Sequence, residues 1–159
     1  MLRLAKRGHE TLAMKLFLDG KWRDLSEKTE VLNPFDGSVI DTVPSASPTE
    51  ITAAIDGLAR GAEVMRNMPS HRRVEILRKA SDLMRAQQEE LGRLISTEEG
   101  KVLAEGRIEA GRAIETVDLS ADEARRLHGE TVPLDSTPGG VGKLGFTLRV
   151  PCGIVAAIT

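Results

Sequence analysis

The sequence predicts an α/β fold, on three observations. Short β-like runs before residue 44 are separated by Asp-Gly turns, helical periodicity fills the middle, and a continuous apolar run, Ile154 to Ile158, closes the chain. With 40% hydrophobic and 29% charged residues over 159 positions, the composition is that of a globular chain rather than a disordered or fibrous one. Aromatic residues are confined to Phe17, Trp22, Phe35 and Phe146, so any core rests on Leu, Ile, Val, Ala and Met.

From Met14 the pattern alternates. Leu16 and Leu18 are offset from Lys15, Phe17 and Asp19, and Asp19-Gly20 then supplies a hairpin turn before Trp22. Thr29 to Leu32 is a second extended piece, running into Asn33-Pro34, where proline disfavours helix at the residue before it. Asp36-Gly37 turns the chain again ahead of Val39, Ile40 and Val43. Two or three short antiparallel strands are expected here.

Ser47-Pro48-Thr49-Glu50 reads as a capping box with proline at the first helical position. Ile51, Ile55, Leu58, Ala62 and Met65 follow at helical spacing and predict a core-facing stripe. Ser70 is read as the next N-cap, followed by an apolar stripe of Val74, Leu77, Ala80 or Ser81, and Met84. Leu91, Leu94 and Ile95 extend a helix that ends at Gly100, a residue suited to a left-handed C-cap. A further long helix is predicted over Val102 to Leu127, with Ile108, Val117, Ala121, Ala124 and Leu127 inward and Gly129 stopping it. Gly106 and Gly111 each cost roughly 1 kcal/mol there relative to alanine, a cost that close helix packing would offset.

After Gly129 the texture returns to β. Thr131 to Leu134, a Pro138-Gly139-Gly140 turn and Gly142 to Val150 predict a hairpin, with Leu144, Phe146 and Leu148 along one face. Pro151 to Thr159 reads as an apolar strand without polar alternation, the pattern of a parallel sheet covered on both faces. With no cap or turn behind it, this strand is read as a core strand cut short.

Several functions are disfavoured. A net charge of -2 gives no attraction to nucleic acid, and the pairs Arg72-Arg73 and Arg125-Arg126 lack neighbouring aromatics. No apolar run approaches the ~20 residues of a membrane span. His9, His71 and His128 are scattered without metal-ligand spacing. The single cysteine, Cys152, excludes an intrachain disulfide and suits a reducing, cytoplasmic setting. It is expected to be a small packing residue at the start of the last strand rather than a nucleophile. Glu98, Glu99, Glu105 and Glu109 are expected in solvated, helix-dipole or salt-bridge roles rather than as paired acid–base carboxylates.

Taken in order, these segments resemble the aldehyde dehydrogenase superfamily. The matching residues are Phe17-Leu18-Asp19-Gly20-Lys21-Trp22, then Asn33-Pro34-Phe35-Asp36-Gly37 and the helix opening at Ser47-Pro48. Glu99-Gly100-Lys101 with Glu105 and Glu109 follows, and then Arg149-Val150-Pro151-Cys152-Gly153-Ile154-Val155-Ala156-Ala157-Ile158-Thr159. The resemblance runs from Lys15 onward and implies an N-terminal portion of that fold, with the following organisation. Residues 1–13 are a flexible leader, Met14 being an alternative start, and 14–130 the first part of a cofactor-binding domain. Residues 131–150 form a hairpin that pairs subunits into a homo-oligomer, and 151–159 the first strand of a Rossmann-like core.

The implied function is oxidation of an aldehyde or semialdehyde to the acid with NAD or NADP. Ile158 and Thr159 would contact the dinucleotide through backbone and small side chains, in line with ligands gathering beyond the carboxyl ends of parallel strands. Glu109, with the Leu32 carbonyl, would lie at a monovalent-cation site. The catalytic cysteine, glutamate and oxyanion-binding asparagine of the resemblance fall beyond Thr159, so the chain alone is expected to be inactive. Gly142 to Phe146 resembles members that act on short, polar or phosphorylated aldehydes. The alternative is a non-catalytic interaction module derived from such an enzyme.

Overall fold

The computed structural model describes residues 14–158. The leader read over residues 1–13 and the cofactor contact read at Thr159 lie outside them. The described chain forms two compact units, one of residues up to Arg60 with Gln87–Gly111, the other of Gly61–Ala86 with the residues from Arg112 on.

In the first unit, β1 (Leu16–Leu18) and β2 (Lys21–Arg23) make an antiparallel hairpin. Its central residues Asp19 and Gly20 both have positive φ, 48° and 75°, the mirror-image turn whose twist matches paired strands. Phe17 sits across from Trp22 with ring centroids 5.1 Å apart. A second hairpin joins β3 (Lys28–Leu32) to β4 (Val39–Pro44), with a register irregularity between Val31 and Leu32. The predicted turn at Asp36-Gly37 is present and closes on side chains. The Asn33 carbonyl oxygen Oδ1 accepts from the Phe35 N–H at 2.9 Å, and Asp36 Oδ1 accepts from the Ser38 N–H at 3.0 Å. The two hairpins are separate two-stranded sheets rather than one small sheet.

Helix α1 (Pro48–Asn67) opens on the predicted capping box: the Ser47 N–H and hydroxyl donate to Glu50 Oε2 at 2.8 and 2.7 Å, and the Glu50 N–H donates back to Ser47 Oγ. The stripe predicted to face the core does not. Ile51, Ile55, Leu58 and Met65 are each about half exposed, whereas Gly57 is buried. The reason is the approach of the first hairpin: the Asp19 carboxylate lies over Gly57, within the space a Cβ there would need, and Arg60 holds that carboxylate with bonds of 2.9 and 3.0 Å. Helix α3 (Gln88–Glu99) ends at Gly100 in the left-handed region, its N–H bonded to the Ser96 carbonyl, as the sequence predicts. Helix α4 begins at Leu103, and its Gly106 is buried against the Gly92 carbonyl of α3. Arg107 spans the same pair of helices with a bidentate grip on Glu89, at 2.8 and 2.7 Å.

In the second unit, α2 (Ser70–Ala86) starts at Ser70 itself, one residue ahead of the expected boundary. Its stripe is as predicted, with Val74 and Ser81 buried and Leu77 packed against the cluster of Val74, Ala121 and Ala124. Helix α4 ends at Arg125, before Gly129. Its buried residues are Gly106, Ala110, Ile114, Ala121 and Ala124, at helical spacing along one face. Ile108 is a correction: it sits off that face and is 63% exposed. Leu127, also expected inward, is exposed beyond the helix end. The last hairpin is shorter than predicted, pairing β5 (Thr131–Val132) with β6 (Gly145–Phe146) around a 3-10 turn at Pro138–Gly140. Residues 151–158, read as an apolar strand, form no ladder here and their side chains are exposed. A strand exists through its neighbours, and the strands of the described residues are already paired in their own hairpins.

Candidate functional site

The residues singled out for chemistry fall into three places. At the junction of α3 and α4, the Gly100 left-handed cap delivers Lys101, and the Lys101 carbonyl accepts from Ser96 Oγ at 2.7 Å. Pro34 packs against Gly100 closely enough that its Cγ would lie 2.7 Å from a Cβ at that position. Lys101 Nζ then reaches Glu109 Oε2 at 2.5 Å and Glu99 Oε2 at 2.6 Å. The bonds to Glu109 and then Glu99 hold the Lys101 ammonium well above the ordinary lysine range. Glu109 is thus an ion-pair partner, in keeping with the salt-bridge reading of these glutamates. Glu105 occupies the first turn of α4, where the helix dipole favours a carboxylate. Leu32 ends β3 opposite Val39, and no hydrogen bond or ion pair joins it to Glu109 among the described residues.

The second place is the stretch 151–158. Ile158 is 96% exposed, and Cys152 is exposed. No histidine or carboxylate is hydrogen-bonded to its thiol among the described residues. A dinucleotide site beyond strand ends needs neighbouring parallel strands, and every ladder described here is antiparallel. The residues present therefore do not by themselves make a cofactor cradle.

The third place, in the second unit, was not anticipated from sequence. Ser81, with no exposed surface, donates its hydroxyl to Asp118 Oδ1 at 2.7 Å. Arg78 reaches Asp118 at 2.8 Å and Asp122 at 2.5 Å, and Arg85 reaches Asp118 Oδ2 at 2.6 Å. The Ser81 bond first, with Arg78 and Arg85 behind it, holds the Asp118 carboxyl below the usual aspartate range. The signal was present as Arg78, Ser81 and Arg85 along α2 and Asp118 and Asp122 one turn apart on α4. Such a network ties two helices together and offers no nucleophile or open acid–base pair. Arg73 is likewise structural, donating to the Met68 carbonyl at 3.1 and 2.7 Å. His71 and His128 are exposed, and no grouping of His, Cys, Asp or Glu fit to hold a metal occurs among the described residues. Nor, among those residues, is any helix long and apolar enough to cross a membrane.

Against known proteins, the family model described as the aldehyde dehydrogenase family matches residues 22–159. Among curated relatives, a 3-sulfolactaldehyde dehydrogenase from Priestia aryabhattai is 39% identical over 145 residues, covering 91% of this chain and 30% of the relative. An aspartate-semialdehyde dehydrogenase from Pseudomonas canavaninivorans is 38% identical over 130 residues, covering 82% and 28%. Among solved structures, aldehyde dehydrogenase 21 from Physcomitrella patens, in complex with the reaction product succinate, superposes with a TM-score of 0.78 at 30% identity. That match covers 84% of this chain and 28% of the other. The chain thus spans about 30% of the length of the curated relatives it matches.

Proposed function

The chain belongs to the aldehyde dehydrogenase family, and we propose that it is the N-terminal portion of an enzyme oxidising a short, polar aldehyde or semialdehyde to its acid with NAD or NADP. The observation that carries this reading is the family match over residues 22–159, together with the order of elements from the first hairpin to the 131–150 segment. The names of the relatives favour the substrate class, since a sulfolactaldehyde, aspartate semialdehyde, lactaldehyde and D-glyceraldehyde are all small and polar. Solved relatives that are NAD- or NADP-dependent dehydrogenases favour the cofactor.

In this reading the chain's own contribution is structural. It supplies the helices that back the cofactor domain, and Ile158 and Thr159 face the dinucleotide once residues 151–159 are seated in a sheet. The exposed row of Leu144, Phe146 and Leu148 favours residues 131–150 as the segment that pairs subunits. The single cysteine favours the cytoplasm. The nucleophilic thiolate, the water-activating carboxylate and the oxyanion amide belong to the part of the relatives that this chain does not cover.

The test compares the 159-residue chain with a polypeptide continuing to the full length of its relatives. Each is mixed with NAD or NADP and a panel of small aldehydes, and reduced nicotinamide is followed by absorbance. Formation of reduced nicotinamide by the longer polypeptide alone supports the proposal. Turnover by the 159-residue chain overturns the placement of the nucleophile. Silence from both favours a non-catalytic interaction module.

A further inference from the structure

We propose that Lys101 is the built-in counter-ion of Glu109, taking the place that the family resemblance gives to a bound monovalent cation. The inference concerns this chain's own residues and does not depend on which aldehyde the family reading assigns. Lys101 Nζ lies 2.5 Å from Glu109 Oε2 and 2.6 Å from Glu99 Oε2, so one ammonium is shared by two carboxylates. It is the least exposed member of the triad, its side chain 28% exposed against 49% for Glu99 and 46% for Glu109.

The backbone prepares this arrangement. Gly100 takes the left-handed conformation with its N–H on the Ser96 carbonyl, and Ser96 Oγ holds the Lys101 carbonyl. Pro34, two residues beyond Leu32, closes on Gly100 from the β3–β4 turn. The segment carrying Leu32 is thus brought to the α3–α4 junction, where the cationic group already present is an ammonium. Lys101 precedes the first turn of α4, whose unpaired N–H groups carry partial positive charge. An ammonium there is unfavourable unless carboxylates compensate it, and two of them do. A second cation would meet both the helix N-terminus and the ammonium as like charges.

Scanning calorimetry of the 159-residue chain tests this in sodium, potassium and choline chlorides at matched ionic strength. The parent is expected to melt at the same temperature in all three. Lys101→Met, which leaves both carboxylates without the ammonium, is expected to melt about 2–4 °C higher in saturating sodium or potassium than in choline. Adding Glu109→Gln to it is expected to abolish that difference. Sodium NMR of the parent gives a second readout, and no line broadening above that of the Glu109→Gln protein is expected. A saturable cation-specific stabilisation of the parent, Glu109-dependent broadening in the parent, or a folded Lys101→Met protein indifferent to the cation overturns the proposal.

Discussion

Gly106 and Gly111 lie five residues apart in the same helix, and helix propensity alone favours alanine at both by roughly 1 kcal/mol. The structure separates them. A Cβ on Gly106 would stand 2.4 Å from the Gly92 carbonyl oxygen and 3.3 Å from the Ser96 nitrogen, both backbone atoms of α3. Neither can rotate away, so relief requires α3 and α4 to part. Gly92 gives no slack from its side, since its own missing Cβ would meet the Arg107 Cα at 3.0 Å. At Gly111 the nearest atom is Gln88 Nε2 at 3.2 Å, the far end of a flexible side chain that can swing aside.

Overpacking a tight contact costs about 1–3 kcal/mol, and separation would also stretch the bidentate Glu89–Arg107 pair. Gly106→Ala is therefore expected to destabilise by about 1–2 kcal/mol net after the propensity gain, and Gly111→Ala to be neutral or stabilising by up to about 1 kcal/mol. Urea unfolding followed by circular dichroism reads both, with an unchanged slope showing that midpoint shifts report stability. If Gly106→Ala were as stable as Gly111→Ala, the close approach of α3 and α4 would be wrong.

Other perturbations follow the same logic. Ser47→Ala removes the hydroxyl of the capping box and is expected to cost roughly 1 kcal/mol, read as a lower urea midpoint, with Ser47→Thr restoring most of it. Asp118 titrates below its ordinary range when folded, so its contribution is present at neutral pH and is lost as pH falls below about 4. Asp118→Asn should therefore lower the neutral-pH melting temperature and flatten its acid decline. That loss should exceed the loss in Asp122→Asn, because among the described residues Asp118 bonds Ser81, Arg78 and Arg85 whereas Asp122 bonds only Arg78. Cys152 should react with a maleimide as fast in the native 159-residue chain as in urea, given its exposure. Native-state protection instead would show that residues 151–158 are covered.

What was legible in the sequence is what is decided locally. Asp19-Gly20, Asp36-Gly37, the Ser47 to Glu50 box and the Gly100 cap each settle in a few residues, and each is found where the sequence places it. The Val74 stripe was also legible, because Ala121 and Ala124 cover it within the chain. Glu109 and Lys101 are eight residues apart across a loop and helix start, outside the three- and four-residue spacings that flag helical ion pairs. Arg78 and Asp118 are forty apart, and only the packing of α2 on α4 joins them.

The misreadings share one physical cause. Periodicity reports that a face is apolar, but burial depends on what meets that face. On α1 the large side chains Ile51, Ile55 and Leu58 advertise the stripe, yet Gly57 is buried because a hairpin carrying Asp19 can approach only where a side chain is missing. On α4 the same preference for small residues hides the buried face, since Gly106 and Ala110 carry almost no hydropathy signal while Ile108, beside them, carries a strong one. The run from Ile154 to Ile158 extends the point to strands. Its composition is that of a strand with neighbours on both sides, and a ladder is a non-local property that composition can anticipate but not supply. Ile51, Ile55, Leu58, Ile154 and Val155 are exposed, each on a face that the described residues leave uncovered.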